Sequence, residues 1–133
     1  MKTPYVAVDA ILRLWEGDHF KGLVIIERLY PPYGYALPGG FVEIGERVES
    51  AVLREIREET NLEARISSLF GVYSDHKRDP RFHVISVVFV CDAEGVPKAG
   101  DDAKKVRVFK LEELPLDSMS FDHGRILIDY LKR

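Results

Sequence analysis

The segment from residue 40 to residue 62, GFVEIGERVESAVLREIREETNL, constrains the fold more than any other part of the chain. Within it, residues 47–60 contain neither proline nor glycine and are dominated by good helix formers, so we predict a helix there. Val48, Val52 and Ile56 recur at a helical spacing, which places three apolar side chains on one face. A helix with such a stripe is expected to pack on a sheet.

The same helix concentrates carboxylates beside its apolar stripe. At about 3.6 residues per turn, Glu55, Glu58 and Glu59 fall within an arc of about 100°. Like charges one turn apart destabilise a helix, and a divalent cation would reverse the sign of that interaction. Carboxylate oxygens are hard ligands that favour Mg²⁺ or Mn²⁺. Arg54 lies one turn before Glu58 and can hold its carboxylate by charge-assisted hydrogen bonds.

The loop before the helix, Leu37-Pro38-Gly39-Gly40, completes this pattern, because glycine lets main-chain oxygens approach a bound ion closely. Loop and helix together suit the attack of a metal-activated water on a phosphorus atom, since bound cations neutralise phosphate oxygens and lower the pKa of water. The alternative is an ordinary solvated helix face. Gly40 and Glu46 precede the carboxylates at the spacing of the motif, which favours the interpretation as a metal site.

Five segments rich in β-branched residues predict strands, at about 4–14, 22–29, 66–74, 83–91 and 105–110. Glu16-Gly17-Asp18 predicts a turn that joins the first two strands in a hairpin. A second helix is predicted at about 121–132, with Ser120 or Asp122 as its cap and Ile126, Leu127, Tyr130 and Leu131 as its apolar stripe. Strands mixed with two well-separated helices predict an α/β fold, an α/β/α sandwich around one sheet.

Composition limits the function classes. A length of 133 residues predicts one domain, residues 1–133, and a formal net charge of −3 without a basic run gives no footprint for nucleic acid. No apolar stretch approaches the roughly 20 residues of a membrane span, and no signal peptide is visible, so we expect a cytoplasmic protein without a membrane partner. The single cysteine, Cys91, lies in a strand-like run and is expected to be buried.

Residues 40–62 match the pattern Gly-x5-Glu-x7-Arg-Glu-U-x-Glu-Glu-x-Gly-U, in which U is apolar. Every position agrees except the final glycine, which is Asn61 here, and asparagine tolerates the left-handed conformation that commonly ends a helix. The chain therefore resembles the Nudix hydrolases, whose fold is an α/β/α sandwich with a mixed central sheet. That family cleaves nucleoside diphosphates linked to another moiety and uses Mg²⁺ or Mn²⁺.

The resemblance also implies roles for individual residues. Glu55, Glu58 and Glu59 would be the catalytic glutamates and metal ligands, with the Gly39 carbonyl as a further ligand. Arg54 and Glu46 would orient them. The general base of the family is either a glutamate of this motif or an acidic residue on a distant loop. Candidates for the second arrangement are Asp101 and Asp102 of the Gly-Asp-Asp-Ala loop, for which a turn-forming role is the alternative.

Outside the motif, three regions resemble the small bacterial and archaeal ADP-ribose pyrophosphatases: residues 34–46, residues 71–81 with 83–90, and the tail segments 100–103 and 121–129. The resemblance implies hydrolysis of ADP-ribose to AMP and ribose 5-phosphate. Alternatives are a pyrophosphohydrolase that removes oxidised nucleoside triphosphates of the 8-oxo-dGTP type, and a non-catalytic module that senses ADP-ribose. Relatives of this kind are frequently dimers, so a homodimer is a further expectation.

Four residues outside the motif are candidates for contact with a nucleotide substrate. Arg28 could bind a phosphate, and Tyr35 could either stack on an adenine or pack in the core. Arg78 and Arg81 lie in a charged loop, residues 74–82, whose mixture of charges suits ribose hydroxyls and phosphate but also an ordinary solvated turn. His123 could approach the site from the final helix, although capping or packing explains it as well.

Overall fold

The computed structural model describes residues 1–100 and 103–133. Within these residues the chain forms seven strands: β1 (Tyr5–Glu16), β2 (His19–Arg28), β3 (Tyr35–Ala36), β4 (Gly39–Phe41), β5 (Ala64–Tyr73), β6 (Val84–Glu94) and β7 (Ala103–Phe109). It also forms two α-helices, α1 (Val48–Thr60) and α2 (His123–Leu131), and two 3₁₀ turns, Leu111–Glu113 and Leu116–Ser118. All five predicted strands and both predicted helices are present, whereas β3 and β4 were not predicted.

Strand β1 is the centre of a mixed sheet. It pairs antiparallel with β2 across the predicted turn, with Glu16 opposite His19, and parallel with β6 along its whole length. The sheet runs in the order β3-β2-β1-β6-β5, with β4 on the first half of β1 and β7 on β2. Strand β4 therefore holds Gly39 and Gly40 directly against the central strand, opposite Asp9 and Val8.

The two helices cover opposite faces of this sheet. Because side chains alternate along a strand, Val8, Ala10 and Leu12 of β1 pack with α1, while Ile11 packs in the cluster that contains Ile126 and Leu127 of α2. The same alternation divides β6, where Phe89 and Cys91 face α1 and Val88 and Val90 face α2. The predicted α/β/α sandwich is therefore confirmed, and Cys91 is fully buried as expected.

Helix α1 follows its sequence pattern closely. Ala51, Val52 and Ile56 are fully buried, and burying an aliphatic side chain of the size of Val or Ile contributes about 1.5–3 kcal/mol. Asn61 ends the helix in the left-handed conformation, with φ 60°, and its N–H donates to the Arg57 carbonyl. This geometry explains why asparagine can replace the expected glycine at this position.

The predicted side-chain cap of helix α2 is wrong. Asp122 occupies the N-cap position, but its carboxylate accepts two hydrogen bonds from the Arg78 guanidinium at 3.0 and 2.8 Å. The Ser120 hydroxyl donates to the Tyr33 carbonyl instead. A buried arginine is costly without a charged partner, so Asp122 is recruited to it. In the part of the chain that the structure describes, no helix is long and apolar enough to cross a membrane.

The ion pair between Arg13 and Asp92 should contribute measurably to stability. The Asp92 carboxylate accepts hydrogen bonds of 2.7 Å from Arg13 Nε, Arg13 Nη2 and Trp15 Nε1. We expect Asp92→Ala to lower the free energy of unfolding by about 2–3 kcal/mol, because charged hydrogen bonds contribute about 1.5–3 kcal/mol. Urea denaturation checks this value, and Asp92→Asn, which keeps one acceptor, should lose less.

The pH dependence of this stabilisation has a definite sign. The Arg13 and Trp15 hydrogen bonds outweigh burial and hold the pKa of Asp92 below its ordinary value. A lowered pKa means that the stabilisation is complete above the unfolded-state pKa of about 4, and is lost as the pH falls through the folded-state value. An Asp92→Ala loss that stays the same well below pH 4 would contradict this assignment.

Candidate active site

A cavity of about 360 Å³ opens at the end of the sheet where β4 pairs with β1. Its wall combines residues of β1, β2, β3, β4 and β6 with residues of both helices and of the loop before β6. The polar and aromatic lining residues are Asp9, Arg28, Tyr30, Phe41, Glu55, Glu59, Arg78, Asp79, Arg81, Phe121 and His123. Segments from nearly the whole chain therefore meet at this one place.

Two carboxylates of the predicted site, Glu55 and Glu59, lie side by side in this cavity. Burial raises the pKa of both carboxyl groups, and the adjacent Glu55 raises the pKa of Glu59 further. Glu59 Oε1 accepts the Gly39 N–H at 3.3 Å, whereas Oε2 is buried and has no hydrogen-bond partner among the described residues. An unpartnered buried polar atom costs about 1–3 kcal/mol, so Oε2 is poised for a ligand.

The glycines beside this pair leave no room for a side chain. A Cβ atom on Gly40 would lie 2.5 Å from the Glu55 carboxyl carbon, and a Cβ atom on Gly39 would overlap the Val8 carbonyl and the Asp9 carboxyl group. The main chain of β4 therefore reaches the carboxylates directly. The buried Glu59 carboxylate with its unpartnered oxygen, the partly buried Glu55 carboxylate and a bare glycine backbone form a donor set that fits a hard divalent cation.

The third predicted ligand, Glu58, is placed differently. Its side chain is 54% exposed and lies 3.3 Å from the Arg54 guanidinium. Accordingly, across residues 1–100 and 103–133 no three His, Cys, Asp or Glu side chains form a group that could hold a metal ion. The donors that already face the cavity are Glu55, Glu59 and the Gly39 backbone.

Arg54 connects the motif residues to one another. Its guanidinium donates to both oxygens of Glu46, at 2.7 and 2.9 Å, and to Glu55 Oε1 at 2.9 Å. A further hydrogen bond of 3.1 Å reaches the Phe41 carbonyl of β4. Arg54 lowers the pKa of Glu46 to about 2, so this carboxylate stays ionised. Arg54 therefore fixes Glu55 relative to the glycine strand.

Arg28 and Arg81 bring positive charge to the mouth of the cavity. The Arg28 Nε donates to the Pro32 carbonyl at 2.7 Å, and Arg81 is held by both oxygens of Asp79 at 3.0 and 2.8 Å. Both guanidinium carbons lie over the ring of Phe121, at 4.8 and 5.3 Å from its centroid. Burial, and secondarily the charge of Arg81, lower the pKa of Arg28.

The other candidate residues are distributed unevenly. Arg78 lines the cavity, but it is buried and bound to Asp122, so it belongs to an internal ion pair. Tyr35 packs edge-on against Phe109 at 5.6 Å, in the core cluster under α2, which is the packing alternative for this residue. The candidate bases Asp101 and Asp102 lie outside the described residues.

Several cavity residues were not identified from the sequence as parts of the site, or only in part. Asp9 is buried in β1, where a lone acidic residue within the apolar run YVAVDAIL was the available signal. Phe121 has a φ of 57°, which is rare for a bulky side chain, and its available signal was that it begins the segment 121–129 of the resemblance. His123 was considered as a residue that could approach the site from the final helix, and it is buried and lines the cavity.

Comparison with known proteins agrees with this geometry. The family model described as "NUDIX domain" matches residues 3–130. The chain is 51% identical over 132 residues to an ADP-ribose pyrophosphatase of Methanocaldococcus jannaschii, covering 97% of this chain and 74% of that protein. It is 33% identical over 107 residues to the mouse ADP-sugar pyrophosphatase, covering 71% of this chain but only 48% of that protein.

Solved structures share the fold. A MutT/nudix family protein from Enterococcus faecalis superposes with a TM-score of 0.82 at 29% identity, covering all of this chain and 62% of that one. The NUDIX domain of Shewanella oneidensis NrtR, solved in complex with ADP ribose, superposes with a TM-score of 0.83 at 22% identity, covering 100% and 90% of the two chains. Sequence motif, fold and family match agree, and the chain belongs to the Nudix hydrolase family.

Proposed function

We propose that this protein hydrolyses the pyrophosphate bond of ADP-ribose, giving AMP and ribose 5-phosphate, with Mg²⁺ or Mn²⁺ bound in a single Nudix domain formed by residues 1–133. The observation that carries the proposal is the buried Glu59, with its unpartnered oxygen, beside the partly buried Glu55 in a cavity that also presents Arg28 and Arg81. The substrate is supported by the 51% identical relative named as an ADP-ribose pyrophosphatase.

Glu55, Glu59 and the Gly39 carbonyl would hold the cation, and Glu58 would join them by turning away from Arg54. When bound, the cation polarises phosphate oxygens and lowers the pKa of a water molecule. Arg54 keeps the Glu55 carboxylate oriented, because its guanidinium is fixed by Glu46 and by the Phe41 carbonyl. The protein itself therefore supplies an ordered arrangement of oxygen ligands.

The opposite wall of the cavity would bind the substrate. Arg28 and Arg81 carry N–H groups suited to phosphate oxygens, and Phe121 and Phe41 offer aromatic surface to a sugar or base. A volume of about 360 Å³ lies at the lower end of the range for small-ligand sites, and its open mouth allows a longer nucleotide to extend outward. For the general base, Asp101, Asp102 and the motif glutamates remain the candidates.

The remaining parts of the proposal concern partners and location. A small nucleotide is the expected partner, without nucleic acid or membrane, and residues 30–35 are a candidate contact in a homodimer. Tyr30 and Tyr33 in this segment are 59% and 71% exposed. A cytoplasmic location fits a nucleotide substrate.

Hydrolysis of a substrate panel in the presence of Mg²⁺ tests the proposal. The panel contains ADP-ribose, NADH, a diadenosine polyphosphate, a nucleotide sugar and 8-oxo-dGTP, and chromatography identifies the products. We expect ADP-ribose to show the highest kcat/KM and to yield AMP. Faster release of pyrophosphate from 8-oxo-dGTP would refute ADP-ribose as the preferred substrate but would still support the proposed metal site. Tight ADP-ribose binding without turnover would support the sensing alternative.

Phe121 offers a test of the substrate wall. We expect Phe121→Gly to raise KM for ADP-ribose about tenfold with kcat within about threefold, because two cation–π contacts of about 0.5–1 kcal/mol each no longer hold Arg28 and Arg81. The melting temperature should not fall by more than a few degrees, since glycine adopts a φ of 57° without strain. Steady-state kinetics and thermal unfolding measure both effects.

The matched control for this experiment is Phe121→Leu. Leucine keeps an apolar side chain and the strained backbone but has no aromatic face, so KM should rise without any relief of strain. An unchanged KM in both variants would show that the ring does not organise the two arginines.

A further inference from the structure

A buried histidine connects helix α2 to the glycine loop of the active site. His123 is the first residue of α2, is 3% exposed and lines the cavity. Its Nδ1 accepts a hydrogen bond of 3.0 Å from the Leu37 N–H. Because Nδ1 is the acceptor, the ring proton lies on Nε2, which is 3.4 Å from the Asp9 carboxylate. The imidazole thus has a hydrogen bond at Nδ1 and lies beside a carboxylate at Nε2.

The hydrogen bond to Leu37 acts on the start of the segment that approaches the carboxylates. Leu37 is 2% exposed, so its N–H needs a partner within the protein. Two residues further, the Gly39 N–H donates to Glu59 Oε1, and between them the Pro38 carbonyl accepts the Ala10 N–H at 2.8 Å. The loop is therefore fixed on one side by β1 and on the other by His123.

The Nε2 side of the imidazole faces Asp9, which has buried partners of its own. Asp9 accepts the Ser86 hydroxyl and lies 3.8 Å from the Arg78 guanidinium, which is itself bound to Asp122. Asp9 and His123 are only 6% and 3% exposed, so their interactions are strengthened by a largely dry surrounding. Contacts within the protein therefore hold the ring in place without a ligand.

We propose that His123 is a positioning residue for the metal site: through the Leu37 N–H it sets the geometry of the loop 37–40 and thereby the cation affinity of Gly39, Glu55 and Glu59. His123 would not touch the cation or the substrate. The inference rests on the proposed function in one respect, namely that a divalent cation binds at these carboxylates. It does not depend on which nucleotide is hydrolysed.

Two replacements of similar size separate this role from simple filling of space. The amide oxygen of an asparagine side chain occupies the position of the histidine Nδ1, so His123→Asn can still accept the Leu37 N–H. The amide of a glutamine extends to the position of Nε2 and leaves the Leu37 N–H unpartnered. Glutamine fills more of the ring volume than asparagine, so a role in packing alone predicts the opposite order.

The experiment is calorimetric titration of Mn²⁺ into each purified protein, without nucleotide. Loss of a group that orients metal ligands typically weakens metal binding about 10–100-fold. We expect Kd to rise about tenfold or more in His123→Gln and to stay within about threefold of the wild type in His123→Asn. His19→Gln, a change at an exposed histidine of the β1–β2 hairpin, controls for the substitution itself.

Wild-type affinity in His123→Gln, or a loss in His123→Asn as large as in His123→Gln, would overturn the proposal. If the glutamine variant does not fold, nitrogen NMR of the wild-type imidazole decides: an unprotonated Nδ1 coupled to the Leu37 amide supports it, and a protonated Nδ1 refutes it. Absence of ADP-ribose hydrolysis in the wild type would remove the proposed substrate and leave the Mn²⁺ result unaffected, so the two failures are distinguishable.

Discussion

Replacement of Glu59 by glutamine should lower kcat for ADP-ribose by about three orders of magnitude and leave the metal-free protein at least as stable as the wild type. The loss follows from the position of Glu59, the most buried motif carboxylate, whose free oxygen faces the cavity. Cation binding at such a site supplies several kcal/mol of transition-state stabilisation, and about 4 kcal/mol corresponds to a thousandfold change in rate.

The stability of this variant should change in the other direction. Burial and the neighbouring Glu55 both disfavour the ionised form of Glu59, and a neutral amide removes that repulsion while it can still accept the Gly39 N–H. We expect the melting temperature without metal to stay the same or to rise by a few degrees, as is common when an active site loses its strain.

Both effects are measured on the same preparation, by steady-state kinetics with Mg²⁺ and by thermal unfolding with and without Mg²⁺. The matched control is Glu49→Gln, a change of an exposed glutamate in the first turn of the same helix, which should leave kcat and melting temperature unaltered. Near-wild-type turnover of the Glu59→Gln variant would show that this carboxylate is not a metal ligand.

The sequence predicted the parts of the molecule that depend on spacing within one element. Helix α1, its buried stripe and the contact of Arg54 with Glu58 follow from residues three or four positions apart, for which helical geometry decides which side chains meet. The left-handed Asn61 was predictable for the same reason. Local rules suffice because the interacting atoms are close along the chain.

The remaining features depend on contacts between distant segments. Strands β3 and β4 are only two and three residues long, and the two glycines of β4 have little intrinsic strand preference. Only their pairing with β2 and β1 therefore reveals them. Asp122 is a residue type that commonly caps helices, yet its carboxylate accepts hydrogen bonds from the buried Arg78 of another loop. Tyr35 is a residue type that can stack on an adenine, yet its ring packs against Phe109 of β7.

The two glycines of β4 should respond very differently to alanine. In Gly40→Ala the new methyl group would lie 2.5 Å from the carboxyl group of Glu55, which is the end of a side chain and can move aside. Displacement of a catalytic group by about 1 Å can cost about a hundredfold in rate, so we expect kcat to fall by about that factor. The free energy of unfolding should change by less than about 1.5 kcal/mol, since only Glu55 and its hydrogen bond to Arg54 are disturbed.

In Gly39→Ala the methyl group meets the Val8 carbonyl and the Asp9 main chain of the central strand, which cannot move without separating β4 from β1. Overpacking of this kind costs about 1–3 kcal/mol or more, so we expect a large loss of stability as well as of activity. Urea denaturation and kinetics on both variants measure the contrast. Equal destabilisation by the two alanines would mean that the Glu55 side chain cannot move aside and is as immobile as the backbone.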